Sequence, residues 1–243
     1  MTVTALTIIV AVIVFIILGG TSVTDDSGGD FSAIVGTVNG VPVNVNFFKM
    51  IRNNEIASTY QFFYNNYDVS DSITFWEDDY GGQNPLTYLN REAMQACAEI
   101  IVIQQFAQKY SILDDISYDT FYRDFQAENA RREAAIQKNE PVFGPVQYGE
   151  YEYFRYLLSN TVITIKDALK NDSSFYTEAE LEEYVDQKLA NRQFPSSVEY
   201  EKEKANFLSS FIDGKYDETI QALFERADVD FDEDLANSIP ARE

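Results

Sequence analysis

The chain has 243 residues, of which 45% are hydrophobic and 14% aromatic, so its composition excludes an intrinsically disordered protein and predicts a folded body. Forty acidic and eighteen basic residues give a formal net charge of −22, which repels phosphate backbones and excludes nucleic acid as an expected partner. The sequence contains no histidine and a single cysteine, which removes the usual general base, thiolate metal clusters and intrachain disulfides. An acidic surface is ordinarily a solvated one. The alternative is a dedicated site for basic ligands. An acidic protein would also attract basic unfolded chains.

Residues 1–20 are predicted to direct the chain to a membrane. Their uncharged apolar run covers residues 3–18, a length between a signal-peptide core and a full membrane span. No Lys or Arg precedes the run and its following flank is acidic, which places the body outside the cytoplasm. We predict an uncleaved single-pass anchor; a secreted protein is the alternative if the segment is cleaved after Ser22. Residues 21–33, rich in Gly, Ser, Thr and Asp, are expected to form a flexible tether.

The stretch "VGTVNGVPVNVNFF", residues 35–48, predicts a strand, a tight turn, a second strand and a helix entry. Asn39 and Gly40 favour a two-residue hairpin turn, because both positions of a type I′ turn need positive φ. Pro42 lacks an N–H and therefore confines the second strand to a sheet edge. Asn44 is suited to cap the helix that follows.

Helices are expected over most of the remaining chain. Asn84 before Pro85 predicts one helix start, Ser117 another, and Thr177 with Glu180 forms a capping box. The intervening acidic loop, residues 67–84, holds the only Trp, and the segments "NEPVFGPVQYG" and "NRQFPSS" interrupt the helical pattern. The predicted helices cover about residues 44–66, 85–110, 117–139, 149–171, 177–190 and 198–227.

The late stretch "DVDFDED" alternates Val229 and Phe231 with acidic residues, which is the period of a strand with one buried face. Its only evident partner is the N-terminal hairpin, so the first and last ordered segments are predicted to pair. The same stretch does not fit a calcium loop, because Glu233 and Ile239 occupy the positions of the required Gly and bidentate Glu. The predicted fold is mainly α, with a small β element that joins the two ends.

Aromatic residues are concentrated in the runs "YQFFYNNY" at 60–67 and "YGEYEYFRY" at 148–156, more than one helix face can bury. One interpretation is an ordinary core with a Tyr-rich surface. The other is a surface for apolar segments of unfolded polypeptides, since amphipathic Tyr suits adaptable contacts. The candidate client-binding residues are Tyr60, Phe62, Phe63, Tyr64, Trp76, Tyr148, Tyr151, Tyr153, Phe154 and Tyr156.

No catalytic motif stands out in the chain. A phosphate-cradling glycine loop and a serine nucleophile elbow are absent from the sequence, and no carboxylate pair is marked by neighbours that would raise a pKa. We therefore expect no enzymatic activity, no cofactor and no metal site.

The opening stretch resembles the start of the chaperone domain of extracytoplasmic SurA/PrsA-type foldases. That domain typically begins with a Val-Asn-Gly turn, then an aliphatic residue and a helical Phe, matched here by Val38-Asn39-Gly40, Val43 and Phe48. The helix "LTYLNREAMQACAEIIVIQQFAQKYSI" is similar to the second helix of the family, and "YEKEKANFLSSFIDGKYDETIQALFERADVDFD" to its closing helix and strand. The resemblance implies a long-helix chaperone domain over residues 34–232, followed by a tail at 233–243.

The departure from the family concerns its catalytic domain. Many relatives insert a parvulin-type prolyl isomerase of about a hundred residues before the closing helix, where this chain has only "NRQFPSSVE". The resemblance therefore implies a membrane-anchored, ATP-independent chaperone for unfolded or secreted polypeptides, without isomerase activity. The alternative is a structural or adaptor module that binds one fixed partner in a cell-envelope complex.

Overall fold

The computed structural model describes residues 33–69, 72–189 and 197–241. The predicted anchor at 1–20 and nearly all of the predicted tether at 21–33 lie outside the described residues. Within the described ranges, no helix combines the length and apolar character needed to cross a membrane.

The β element is a three-stranded antiparallel sheet in the order β2-β1-β3. Its strands are β1 (Ile34–Val38), β2 (Val41–Asn44) and β3 (Val229–Phe231). The turn between β1 and β2 is formed by Asn39 at φ 50° and Gly40 at φ 79°, the positive values that a two-residue hairpin requires. The predicted hairpin is thus confirmed.

The pairing of β1 with β3 joins the two ends of the described chain, as predicted. The Asn39 N–H donates to the carbonyl of Asp228 over 2.7 Å, and the Asn39 side-chain oxygen accepts from the Asp228 N–H over 2.9 Å. At the other end of the strand pair, the Asp232 N–H donates to the Val35 carbonyl over 2.9 Å. The residue at the crossing is glycine for a steric reason: a Cβ on Gly36 would lie 2.3 Å from the carbonyl oxygen of Asp230. We call this β1–β3 pairing the clasp.

The predicted helices are all present. They are α1 (Val45–Tyr67), α2 (Pro85–Lys109), α3 (Tyr118–Gln137), α4 (Glu150–Leu169), α5 (Glu178–Leu189) and α6 (Ser197–Phe224), and a short α7 (Glu233–Ser238) follows β3.

Each predicted side-chain cap forms. The side chain of Asn44 accepts from the first turn of α1, that of Asn84 from the Thr87 N–H over 3.0 Å, and that of Ser117 from the first turn of α3. At α5, the Glu180 carboxylate accepts from the Thr177 N–H over 2.6 Å and the Thr177 hydroxyl accepts from the Glu180 N–H over 3.3 Å. These bonds satisfy helix N–H groups that have no carbonyl partner within their own helix.

Two apolar cores stabilise the described body. The first is built by the sheet, α1, the middle of α2, Phe154 of α4 and residues of the α7 region. The second is built by α5, α6 and the C-terminal parts of α2 and α4, with Ile165, Leu169 and Ile212 almost wholly buried. Because α2 and α4 contribute to both cores, they connect the sheet to the α5–α6 pair.

The prediction that residues 233–243 form a tail is wrong for residues 233–241. Ala236 of α7 is 0% exposed and Ile239 is 7% exposed, and both belong to the first core. The buried Arg52 of α1 donates to the carbonyls of Ile239, over 3.0 Å, and Pro240, over 2.7 Å. These contacts make the segment after β3 part of the folded body.

Candidate functional site

The first aromatic run packs into a cluster where α1 and α2 meet the loop between them. Tyr60 stacks on Phe75 with ring centroids 4.3 Å apart, and Phe62 stacks on Tyr88 at 4.4 Å. Phe63 is fully buried among these rings. Stacked and edge-to-face pairs of this kind stabilise a fold beyond the area they bury. The run at 60–67 therefore contributes much of its aromatic surface to packing.

The second run forms another cluster, between α3 and α4. Phe121 meets Phe154 edge-to-face at 5.2 Å, and Phe154 meets Phe47 of α1 at 5.4 Å. Tyr148 packs against Tyr153 at 5.3 Å. Burial raises the pKa of the Tyr153 hydroxyl, with Glu128 adding to the shift.

The structure divides the sequence-predicted client-binding residues by exposure. Only two of them present most of a ring to solvent: Tyr64, which is 59% exposed, and Tyr156, which is 51% exposed. The others are half-buried (Tyr60, Phe62, Trp76, Tyr148 and Tyr151) or buried (Phe63, Tyr153 and Phe154). The ten residues thus lie in separate places and do not form one continuous surface.

A cleft lies between the β-hairpin, α3 and α4. It consists of three adjoining pockets that are open to solvent and share lining residues. We call it the hairpin cleft. Its lining residues are Ile34, Val41, Pro42, Asn44, Phe47, Ile101, Gln104, Leu113, Asp115, Ile116, Ser117, Tyr118, Asp119, Thr120, Phe121, Asp124, Phe154, Leu157, Leu158 and Thr161.

The floor of the hairpin cleft is apolar and partly exposed. It is formed by Phe121 of α3 and by Leu157 and Leu158 of α4, which are all half-buried. They stay accessible because α3 does not cover α4 completely. Among the described residues of α3, only Arg132 and Ala135 are buried. The remaining described residues of α3 are half-buried or exposed, and the floor of the cleft stays accessible beside them.

The rim of the hairpin cleft is acidic. Asp115, Asp119 and Asp124 line it and are exposed. Asp115 accepts from the Thr120 hydroxyl and from the Ser117 N–H, and these hydrogen bonds lower its pKa below the ordinary value. Asp119 and Asp124 form no ion pair with another described residue.

The hairpin wall of the cleft is the free edge of β2. In a two-residue hairpin, Val38 and Val41 form the hydrogen-bonded pair next to the turn, so the backbone groups of Pro42 point outward. Pro42 has no N–H, and this edge therefore lacks the donor that an added strand would use. A strand added along this edge would therefore lack one of its backbone hydrogen bonds.

A second cleft, open to solvent, lies between α2 and α6. Ile103, Ile220 and Phe224 supply its apolar part, and Glu99 and Asp217 its charges. It is separate from the hairpin cleft, with which it shares no lining residue.

The loop between α3 and α4 displays an apolar side chain on a fixed backbone. Phe143 is 86% exposed, while the buried Arg132 donates to its carbonyl over 3.0 Å and to that of Pro145 over 2.6 Å. The same guanidinium pairs with Glu128 at 2.8 Å and lies 4.4 Å from the centre of the Tyr148 ring. An exposed ring on a backbone held this firmly loses little entropy when it binds a partner.

Of the ten candidate client-binding residues, only Phe154 lines the hairpin cleft. Leu158 had a local signal as part of the apolar stripe of α4, whereas Ile116 and Asp124 carry no signal of their own. Within the described ranges, no group of three or more His, Cys, Asp or Glu residues is placed to hold a metal ion.

Comparison of the chain with family models, curated proteins and solved structures finds no match. The resemblance to SurA/PrsA-type foldases therefore stays a prediction from the sequence.

Proposed function

We propose that this protein is a membrane-anchored extracytoplasmic chaperone that binds unfolded polypeptides without ATP, and that the hairpin cleft is its client-binding surface. The observation that carries the proposal is the half-exposed apolar floor formed by Phe121, Leu157 and Leu158. An apolar floor within a concave surface is typical of interaction sites, because a ligand side chain that enters it is buried on several sides.

The architecture around the cleft supports reversible binding. The cleft is open to solvent, and Pro42 removes a backbone donor from its hairpin edge. A client segment would therefore be held by side-chain contacts without a full set of backbone hydrogen bonds. An extended client also loses chain entropy on binding, which keeps the affinity low and allows release without an energy source.

We expect this chaperone to lack prolyl isomerase activity. Only residues 190–196 separate α5 from α6, where the foldase relatives that the sequence resembles carry a whole parvulin domain. A prolyl-peptide isomerisation assay on the full chain should give the uncatalysed rate, and measurable turnover would contradict this part of the proposal.

The client-binding role is tested by aggregation of several unrelated unfolded proteins in the presence of the full chain. We expect the full chain to slow aggregation. Leu157→Gln should reduce this protection, because the substitution places a polar group on the cleft floor. Ile163→Gln is the matched control: Ile163 is on the same helix and 58% exposed, but it does not line the cleft. Equal activity of both variants and the unaltered chain would remove the cleft from the proposal.

An adaptor with one fixed partner is the second candidate, and the rigidly displayed Phe143 favours it. If the full chain leaves the aggregation of all clients unchanged, yet binds one folded envelope protein and loses this binding in Phe143→Ser, the adaptor function is supported. A chaperone that uses the hairpin cleft should instead keep its activity in Phe143→Ser.

A further inference from the structure

The charged side chains that line the hairpin cleft all carry the same sign. They are the exposed carboxylates of Asp115, Asp119 and Asp124. The basic residue among them in sequence, Arg123, does not line the cleft, and its guanidinium donates to the Thr120 hydroxyl over 3.1 Å. The second cleft shows the same bias, with Glu99 and Asp217 as its only charged lining residues.

We infer that the hairpin cleft selects polypeptide segments in which apolar residues alternate with Lys or Arg. This inference rests on the proposed function and names the client class of the same site. The apolar client side chains would lie on Phe121 and Leu157, while the basic ones reach the rim carboxylates. The complementarity is specific in sign, because a client Asp or Glu at the same place would face like charges.

The arrangement of the rim favours selection over tight binding. Asp119 and Asp124 are exposed and have no ion-pair partner among the described residues, so a client cation would not have to displace one. An exposed pair between carboxylate and ammonium is weak, and salt screens it within about 10 Å. The net charge of −22 adds attraction at longer range, which raises the association rate for basic segments.

The test uses the full chain in nonionic detergent and fluorescent peptides that share one length and the same Leu and Phe positions. The remaining positions are all Lys, all Glu or all Ser, and binding is followed by anisotropy at low and high salt, with a detergent-only baseline. The variant Asp119→Asn/Asp124→Asn neutralises the rim. Glu201→Gln/Glu218→Gln is its control, because it removes the same charge from exposed positions on α6 that do not line the cleft.

We expect the Lys peptide to bind best at low salt and to lose roughly three- to tenfold in affinity in the rim variant, but not in the control. Thermal unfolding of both variants checks that the fold is kept. If all three peptides bind equally, or the control weakens Lys-peptide binding as much as the rim variant, the charge selection is refuted while polypeptide binding stands. If no peptide binds, the proposed function itself fails.

Discussion

Replacing Gly36 by Ala tests the clasp directly. The new Cβ would lie 2.3 Å from the Asp230 carbonyl oxygen, and 3.2 Å from both the Met94 methyl and the Phe231 Cα. Restoring an ordinary contact requires β3 to move by about 1 Å, since its backbone cannot rotate away as a side chain would. Such a shift strains the bonds that Asp232 and Asn39 make across the clasp.

We expect Gly36→Ala to lower the free energy of unfolding by roughly 2–4 kcal/mol, because each weakened hydrogen bond contributes about 1 kcal/mol and the crowding adds to it. For a body of this size, the unfolding temperature should fall by roughly 5–15 °C. Circular dichroism on the full chain measures this fall, and hydrogen exchange at the Asp232 N–H locates it.

Gly214→Ala is the matched control. Gly214 is an exposed position within α6, and a Cβ there meets nothing within 4 Å. The same chemical change should therefore stabilise the protein by about 0.5–1 kcal/mol through helix propensity. If Gly36→Ala unfolds at the temperature of the unaltered chain and keeps the exchange protection of Asp232, the steric account of the clasp is wrong.

Further predictions concern single side chains. Lys215 and Thr177 lower the pKa of Glu180 from 4.5 to about 2, so its carboxylate stabilises the α5–α6 pair above pH 4.5 and loses this effect as the pH falls toward 2; an acid titration of helicity should lack that component in Glu180→Gln. Arg132→Leu leaves the Phe143 and Pro145 carbonyls without their donor. It should cost about 2–3 kcal/mol and speed chymotrypsin cleavage at Phe143, whereas unchanged cleavage would contradict the clamp. Burial raises the pKa of the Cys97 thiol. Its reaction with a thiol reagent should therefore require unfolding and should be faster in Gly36→Ala. Complete reaction of Cys97 in the native protein would disprove the packing of the first core.

The hairpin and the helices were predictable because their signals are local. Asn39-Gly40 specifies a turn with positive φ at both residues, and the caps at Asn84 and Thr177 define helix starts within four residues of sequence. The partner of β3 could be predicted because the hairpin was the only other β-prone segment recognised in the sequence. Turns and helix starts of this kind can be predicted without knowledge of the tertiary contacts.

The segment after β3 was mispredicted because its order depends on a distant residue. The six-residue α7 is too short to be stable alone, and its acidic sequence gave no apolar period. Burial of Ala236 holds it in place, together with the hydrogen bonds from Arg52 to the carbonyls of Ile239 and Pro240. Arg52 is 187 and 188 residues away from these two partners in sequence.

The aromatic runs show why the site itself was harder to predict. The rings that cover Phe63 come from the loop after α1 and from α2, and Phe121 of α3 covers Phe154. A run of aromatics reveals an excess of apolar surface but not which partner ring will bury it. The hairpin cleft, for its part, is assembled from the hairpin, the α2–α3 loop, α3 and α4, none of which is distinctive alone.

The clasp also links the stability of the fold to the proposed site. Val41 and Pro42 form the hairpin wall of the cleft, and their strand is held to the body partly through β1, which pairs with β3 from the other end of the chain. Opening of the clasp should therefore reduce the support of this wall. Gly36→Ala should weaken client binding although Gly36 does not line the cleft, and the loss should grow with temperature as the clasp opens. Leu157→Gln should weaken binding at every temperature, because it changes the cleft floor and leaves the clasp intact.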